Sequence, residues 1–69
     1  MTRIKQLRKE FGMTQEDLAK KLHVDKVSVC NWERGFRTPR MKSMIEMSRI
    51  FNCSVDYILG LSDMPRDTA

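Results

Sequence analysis

The chain has 69 residues with thirteen Lys and Arg against nine Asp and Glu, a formal net charge of +4 and 41% apolar residues. A core this small supports one domain and needs nearly every apolar stripe buried, so a second domain and a large enclosed substrate pocket are excluded. No apolar run approaches the roughly 18 residues of a membrane span, no signal-peptide apolar stretch opens the chain, and Cys30, Cys53 and His23 do not fall at metal-ligand spacing; a cytosolic protein with free, reduced thiols is expected.

The elements follow in chain order. Ile4, Leu7 and Phe11 recur at i, i+3 and i+7, which predicts a first helix over about residues 2–11 with Gly12 as its stop and Met13 stapling it to the next. Thr14 is a helix cap, its pattern completed by Asp17, and opens a second helix whose inner face is Leu18, Ala19 and Leu22. The small side chain of Ala19 lets another helix cross closely. His23 and Val24 form a turn, Asp25 is placed to cap a third helix, Val29 and Trp32 supply its buried stripe, and Gly35 ends it. At about 100° per residue, pointing Val29 and Trp32 inward turns Val27, Asn31 and Arg34 outward and puts Cys30 on the flank. Lys26 sits in the first turn.

After the loop Phe36-Arg37-Thr38, Pro39 suits the first turn of a fourth helix, since its missing N–H is not needed there. That helix carries Met41, Met44, Met47 and Phe51 as a core stripe, with Ser48 as a small residue. Ser54 caps a last short helix in which Val55, Ile58 and Leu59 share one arc, Tyr57 points the other way and Gly60 ends the turn. Residues 1–61 thus read as the domain and 62–69 as a tail or the start of a linker. Charge is uneven: between Lys26 and Lys42 there are five basic residues and one acid, Glu33, and Arg3, Lys5, Arg8 and Lys9 form a second basic cluster.

Two short helices joined by a tight turn and closed by glycine, over residues 14–35, are the layout of a helix-turn-helix DNA reader. Gln15 after its capping Thr14, the Leu18-Ala19 pair, Val24 in the turn, Val29 and the run Trp32-Glu33-Arg34-Gly35 resemble the Cro/cI-type, or Xre, family of transcriptional regulators from about Ile4 to Gly60. The resemblance implies an all-α, compact five-helix lambda-repressor-like domain and a regulator of transcription, a repressor first of all. Two departures stand out: His23 occupies a position where the family mostly has a left-handed glycine, and Val27 one that is commonly polar.

The expected partner is double-stranded DNA carrying a near-palindromic operator, read by a homodimer whose third helices lie about 34 Å apart; no cofactor and no membrane are implied. Asn31 is the first candidate for base reading, through adenine N6 and N7. Lys26 suits guanine or a phosphate, Val27 a thymine methyl, and Ser28 a base or its own helix backbone. The family places a phosphate contact at Gln15, and by resemblance Arg37 and Arg40 lie near the backbone or the minor groove. Arg34 suits a phosphate or the negative end of its helix. Arg8 and Glu33 occupy positions the family pairs in a structural ion bridge. Tyr57, Leu61 and Met64 are left as candidates for the dimer interface. Trp32 and the methionines are assigned to the core. Antitoxins and restriction-modification controllers with the same DNA site, and a protein-docking module in which Val27 and Cys30 make apolar contacts, are the alternatives.

Overall fold

A computed structural model describes residues 2–66, and among them the chain is all-helical: α1 Ile4–Glu10, α2 Gln15–Leu22, α3 Lys26–Glu33, α4 Met41–Phe51 and α5 Val55–Ile58. None of these helices is long and apolar enough to cross a membrane.

Local chemistry explains most boundaries. The Thr14 hydroxyl accepts the Asp17 N–H at 3.0 Å and the Asp17 carboxylate accepts the Thr14 N–H at 2.9 Å, closing a reciprocal cap on α2. Ser54 accepts the Tyr57 N–H at 3.1 Å and starts α5. All five helices end on a residue of positive φ, namely Gly12, His23 (57°), Gly35, Asn52 (53°) and Gly60. At each end the next residue's N–H reaches back to the last turn, Met13 to Arg8, Val24 to Ala19, Phe36 to Asn31, Cys53 to Ser48 and Leu61 to Asp56, at 2.8–3.1 Å. Histidine and asparagine tolerate this left-handed geometry better than most side chains.

Ile4, Leu18, Val29, Met47 and Ile58 are fully buried, with Leu7, Ala19, Leu22, Trp32, Phe51 and Cys53 packed around them. The closest helix pairing is α2 on α3, with α4 and α5 closing the other side. Ala19 is 3% exposed and belongs to the same core cluster.

Several expectations need correction. The first helix is shorter than residues 2–11, because Arg3 is its cap and Phe11 its terminus; Phe11 is half-exposed and meets Phe51 edge-to-face at 5.2 Å. Asp25 stands at the start of α3 but its side chain makes no cap hydrogen bond. Pro39 is buried, and the extended Arg40 intervenes before α4 as its cap residue. Met41 is 64% exposed. At 100° per residue it lies about 120° round α4 from Met47, and Ser43 completes the inner arc in its place. Tyr57 does not point away: it packs half-buried against the core.

The two ends of the described chain meet at Arg3. Its N–H donates to the Ile58 carbonyl, and its guanidinium to the carbonyls of Tyr57 (2.6 Å) and Ser62 (2.8 Å) and to the Asp63 carboxylate (2.8 Å), while lying 4.2 Å from the Tyr57 ring centroid. Beyond it, the Ser54 N–H donates to the Pro65 carbonyl and Arg66 Nε to the Asn52 carbonyl. Residues 62–66 therefore lie against the α4–α5 corner. Residues 67–69 of the expected tail lie outside the described residues.

Candidate nucleic-acid interface

With Val29 and Trp32 buried, α3 presents an outward line of Val27, Asn31 and Arg34, spaced i, i+4, i+7. Val27 is 66% exposed, an unusual place for a valine on a helix with no neighbour over it. Asn31 is half-buried and Cys30 flanks it, also half-buried.

Open grooves border α3 on two sides. One, of about 550 Å³, runs between α3 and the loop to α4 and is lined by Ser28, Trp32, Arg37, Thr38 and Arg40 among others. The second, of about 470 Å³, lies at the start of α2 and is lined by Arg8, Thr14, Gln15 and Lys26. Ser28 and Lys26 stand about 200° apart round the helix, so these grooves bound α3 on different flanks. The first flank carries Arg37 and Arg40; the second carries Lys26, with Glu16 and the Glu33-paired Arg8 also in its lining.

Beneath the second groove, Arg8 Nε donates to Glu33 Oε2 at 2.7 Å and Nη2 to Oε1 at 3.2 Å, and Nη1 donates to the Met13 carbonyl at 2.8 Å. The two side chains are 10% and 3% exposed. The Glu33 hydrogen bond and charge push the Arg8 guanidinium above its ordinary value against the opposing effect of burial. Gln15 Nε2 also donates to Glu33 Oε1, at 3.2 Å, so the carboxylate joins α1, α2 and α3 at one point. Sequence reasoning missed this third contact, because periodicity gives no sign that Gln15 and Glu33 meet. One Nε2 hydrogen of Gln15 remains for another acceptor.

Arg34 stands at the end of α3 with its guanidinium carbon 5.0 Å from the centroid of the Phe36 ring, itself 67% exposed. Phe36 carried no signal in the sequence pattern beyond following Gly35. Of the three residues expected at an interface between copies, Leu61 (76%) and Met64 (56%) are well exposed, whereas Tyr57 is half-buried and has Arg3 on its ring. Cys30 and Cys53 are both free; burial, helped by the Glu10 charge, pushes the Cys53 thiol above its ordinary value. Among the described residues no cluster of His, Cys, Asp or Glu is arranged to hold a metal ion.

Residues 4–58 match the helix-turn-helix family. The chain is similar to the HTH-type transcriptional regulator ImmR of Bacillus subtilis, with 33% identity over 93% of this chain and 50% of that protein. It is similar to the HTH-type transcriptional regulator DicA of Escherichia coli, with 42% identity over 83% of this chain and 42% of that protein. An uncharacterized HTH-type transcriptional regulator of Archaeoglobus fulgidus is 34% identical over 90% of this chain and 89% of its own length. The chain thus spans about half the length of its two named relatives. No solved structure matches it.

Proposed function

Since this chain belongs to the helix-turn-helix family, in line with its Cro/cI-type motif, we propose that it is a sequence-specific DNA-binding regulator of transcription, working as a repressor in the cytosol. The carrying observation is the arrangement of α3: an exposed line of side chains bounded on two flanks by grooves, one lined by Arg37 and Arg40 and the other by Gln15 and Lys26. A helix entering a major groove lies between two phosphate strands, and this arrangement matches that demand on both sides.

In this reading Lys26, Val27, Ser28 and Asn31 meet base edges, Asn31 through adenine and Val27 through a thymine methyl. Gln15 holds one strand of the backbone, with Glu33 fixing its amide. Arg34, Arg37 and Arg40 hold the other, and Arg40 reaches toward an A·T-rich minor groove. One α3 covers only a few base pairs, so useful specificity calls for two copies on a near-palindrome, with Tyr57, Leu61 and Met64 at their interface.

The test is enrichment of a random duplex library on the purified chain at about 0.15 M salt, where non-specific attraction is largely screened. A recovered near-palindrome with half-sites about one helical turn apart is the expected result. Recovery of no preferred sequence, with affinity insensitive to salt, would overturn the reading and favour a protein partner for the Val27 face.

A further inference from the structure

The five helix ends share one backbone motif, yet they use the residue after the left-handed position differently. Met13 and Val24 are half-buried against the core, and Cys53 is buried in it. Phe36 occupies the same place after α3 and stays 67% exposed. Leu61, in the same place after α5, is also exposed, at 76%, so exposure alone does not set Phe36 apart, although Phe36 forgoes the burial that Met13, Val24 and Cys53 obtain. What its ring does contact is the Arg34 guanidinium, 5.0 Å from its centroid.

That contact has a specific geometric consequence. A guanidinium stacks through its face, whereas its N–H donors lie in its plane and point outward from its edge. With its guanidinium carbon 5.0 Å over the Phe36 ring and no oxygen acceptor among the described residues taking its N–H groups, Arg34 is held beside the ring with donors to spare. Among the described residues no carboxylate lies within ion-pair distance of Arg34, so that edge is open. Arg34 also continues the Val27–Asn31 line at the carboxyl end of α3, the part of a recognition helix that lies farther from the groove floor. A ligand meeting that edge is a phosphate rather than a base.

We infer that Phe36 is a positioning residue for DNA binding, its ring presenting the edge of Arg34 to one backbone phosphate. The inference rests on the proposed DNA-binding function and adds to it a residue that touches no base. The pair acts as a unit: Arg34 supplies the charge and the planar fork, and Phe36 lowers the rotamer freedom the long side chain loses on binding.

The experiment is a double-mutant cycle on the full chain, reading affinity for a fluorescein-labelled mixed-sequence duplex by anisotropy between about 0.05 and 0.2 M salt. Arg34→Ala is expected to weaken binding and flatten the salt slope by about 0.9. Phe36→Leu keeps an apolar side chain but removes the π face, and is expected to weaken binding about two- to fivefold, with no change in melting temperature because the residue is exposed. Phe36→Tyr should bind like the parent. In the Arg34→Ala background, Phe36→Leu should have no further effect. If Phe36→Leu matches the parent while Arg34→Ala weakens binding, the inference falls and the DNA reading stands. An equal loss from Phe36→Leu in both backgrounds overturns it as well, because Phe36 would then act on DNA by itself. An Arg34→Ala variant with parental affinity and slope removes the backbone contact at Arg34, and the inference with it.

Discussion

Replacing Arg8 by alanine removes two hydrogen bonds from a carboxylate whose side chain is 3% exposed, and leaves the Met13 carbonyl without its guanidinium donor. What remains to Glu33 is one Gln15 amide at 3.2 Å. Stranding a charge in this way costs about 3 to 5 kcal/mol. A chain of this length has a total stability of roughly 3 to 10 kcal/mol at about 0.05–0.15 kcal/mol per residue, so the single change consumes between about a third and all of it. At roughly 4–8 °C per kcal/mol, the melting temperature should fall by at least about 12 °C. Glu33→Ala should cost a similar amount, for it strands the guanidinium and frees Gln15. The double variant Arg8→Met, Glu33→Leu removes both charges and refills the space, and should recover most of the loss, because a buried pair of this kind is often matched by apolar packing. Thermal and urea unfolding followed by circular dichroism measure all four chains. Single variants that each lie within about 1 kcal/mol of the parent, or losses that simply add in the double variant, would refute the argument that the pair is buried and mutually dependent.

Asn31→Ala should relax the preference at one operator position by about 1 to 3 kcal/mol, while Arg37→Ala should weaken all sequences alike and reduce the salt slope by about one; equal losses on specific and random duplexes would remove Asn31 from the base readers. The Thr14 N–H and hydroxyl hold the Asp17 carboxyl below its ordinary value of 3.8, so its contribution to stability is present above that value and is lost as pH falls through the lower folded-state value. The melting difference between the parent and Asp17→Asn should therefore shrink in strong acid, and a difference unchanged down to pH of about 2 would contradict the cap. Maleimide should label Cys30 well before Cys53, since burial both shields the Cys53 sulfur and disfavours its thiolate; mass spectrometry of a partly labelled sample decides the order.

What the sequence made legible is what local chemistry controls. The Thr14 and Ser54 caps, the stops at Gly12, Gly35 and Gly60 and the inward stripes of α2 and α3 each depend on residues within one or two turns of each other, while the left-handed turn at His23 is carried by the family resemblance. The misjudged features depend on distant partners. Met41 has the right spacing for the core stripe, but where the inner arc of α4 is centred is decided by what the helix packs against. Pro39 is buried one residue before the cap Arg40, although its backbone preference would suit the helix start. Asn52 ends α4 without a glycine to announce it. At the candidate interface, the outward face of α3 could be read by rotation alone. The hold of Glu33 on Gln15 and of Phe36 on Arg34 joins side chains across a turn or between helices, and no periodic pattern reports it.

The clasp at Arg3 gives the fold a further property. Residues 3 and 63 are bonded across 2.8 Å, so the path from α1 to α5 closes on itself almost as a ring. A ring has no privileged opening. Joining the two ends by a short flexible linker and cutting the chain instead at Thr38, exposed in the loop between α3 and α4, should give a circular permutant with the same core packing. In that rearranged chain the order of synthesis would become α4, α5, α1, α2, α3, with α3 last to leave the ribosome. Its folding rate, set beside the parent's, would separate the influence of chain order from that of the contacts themselves.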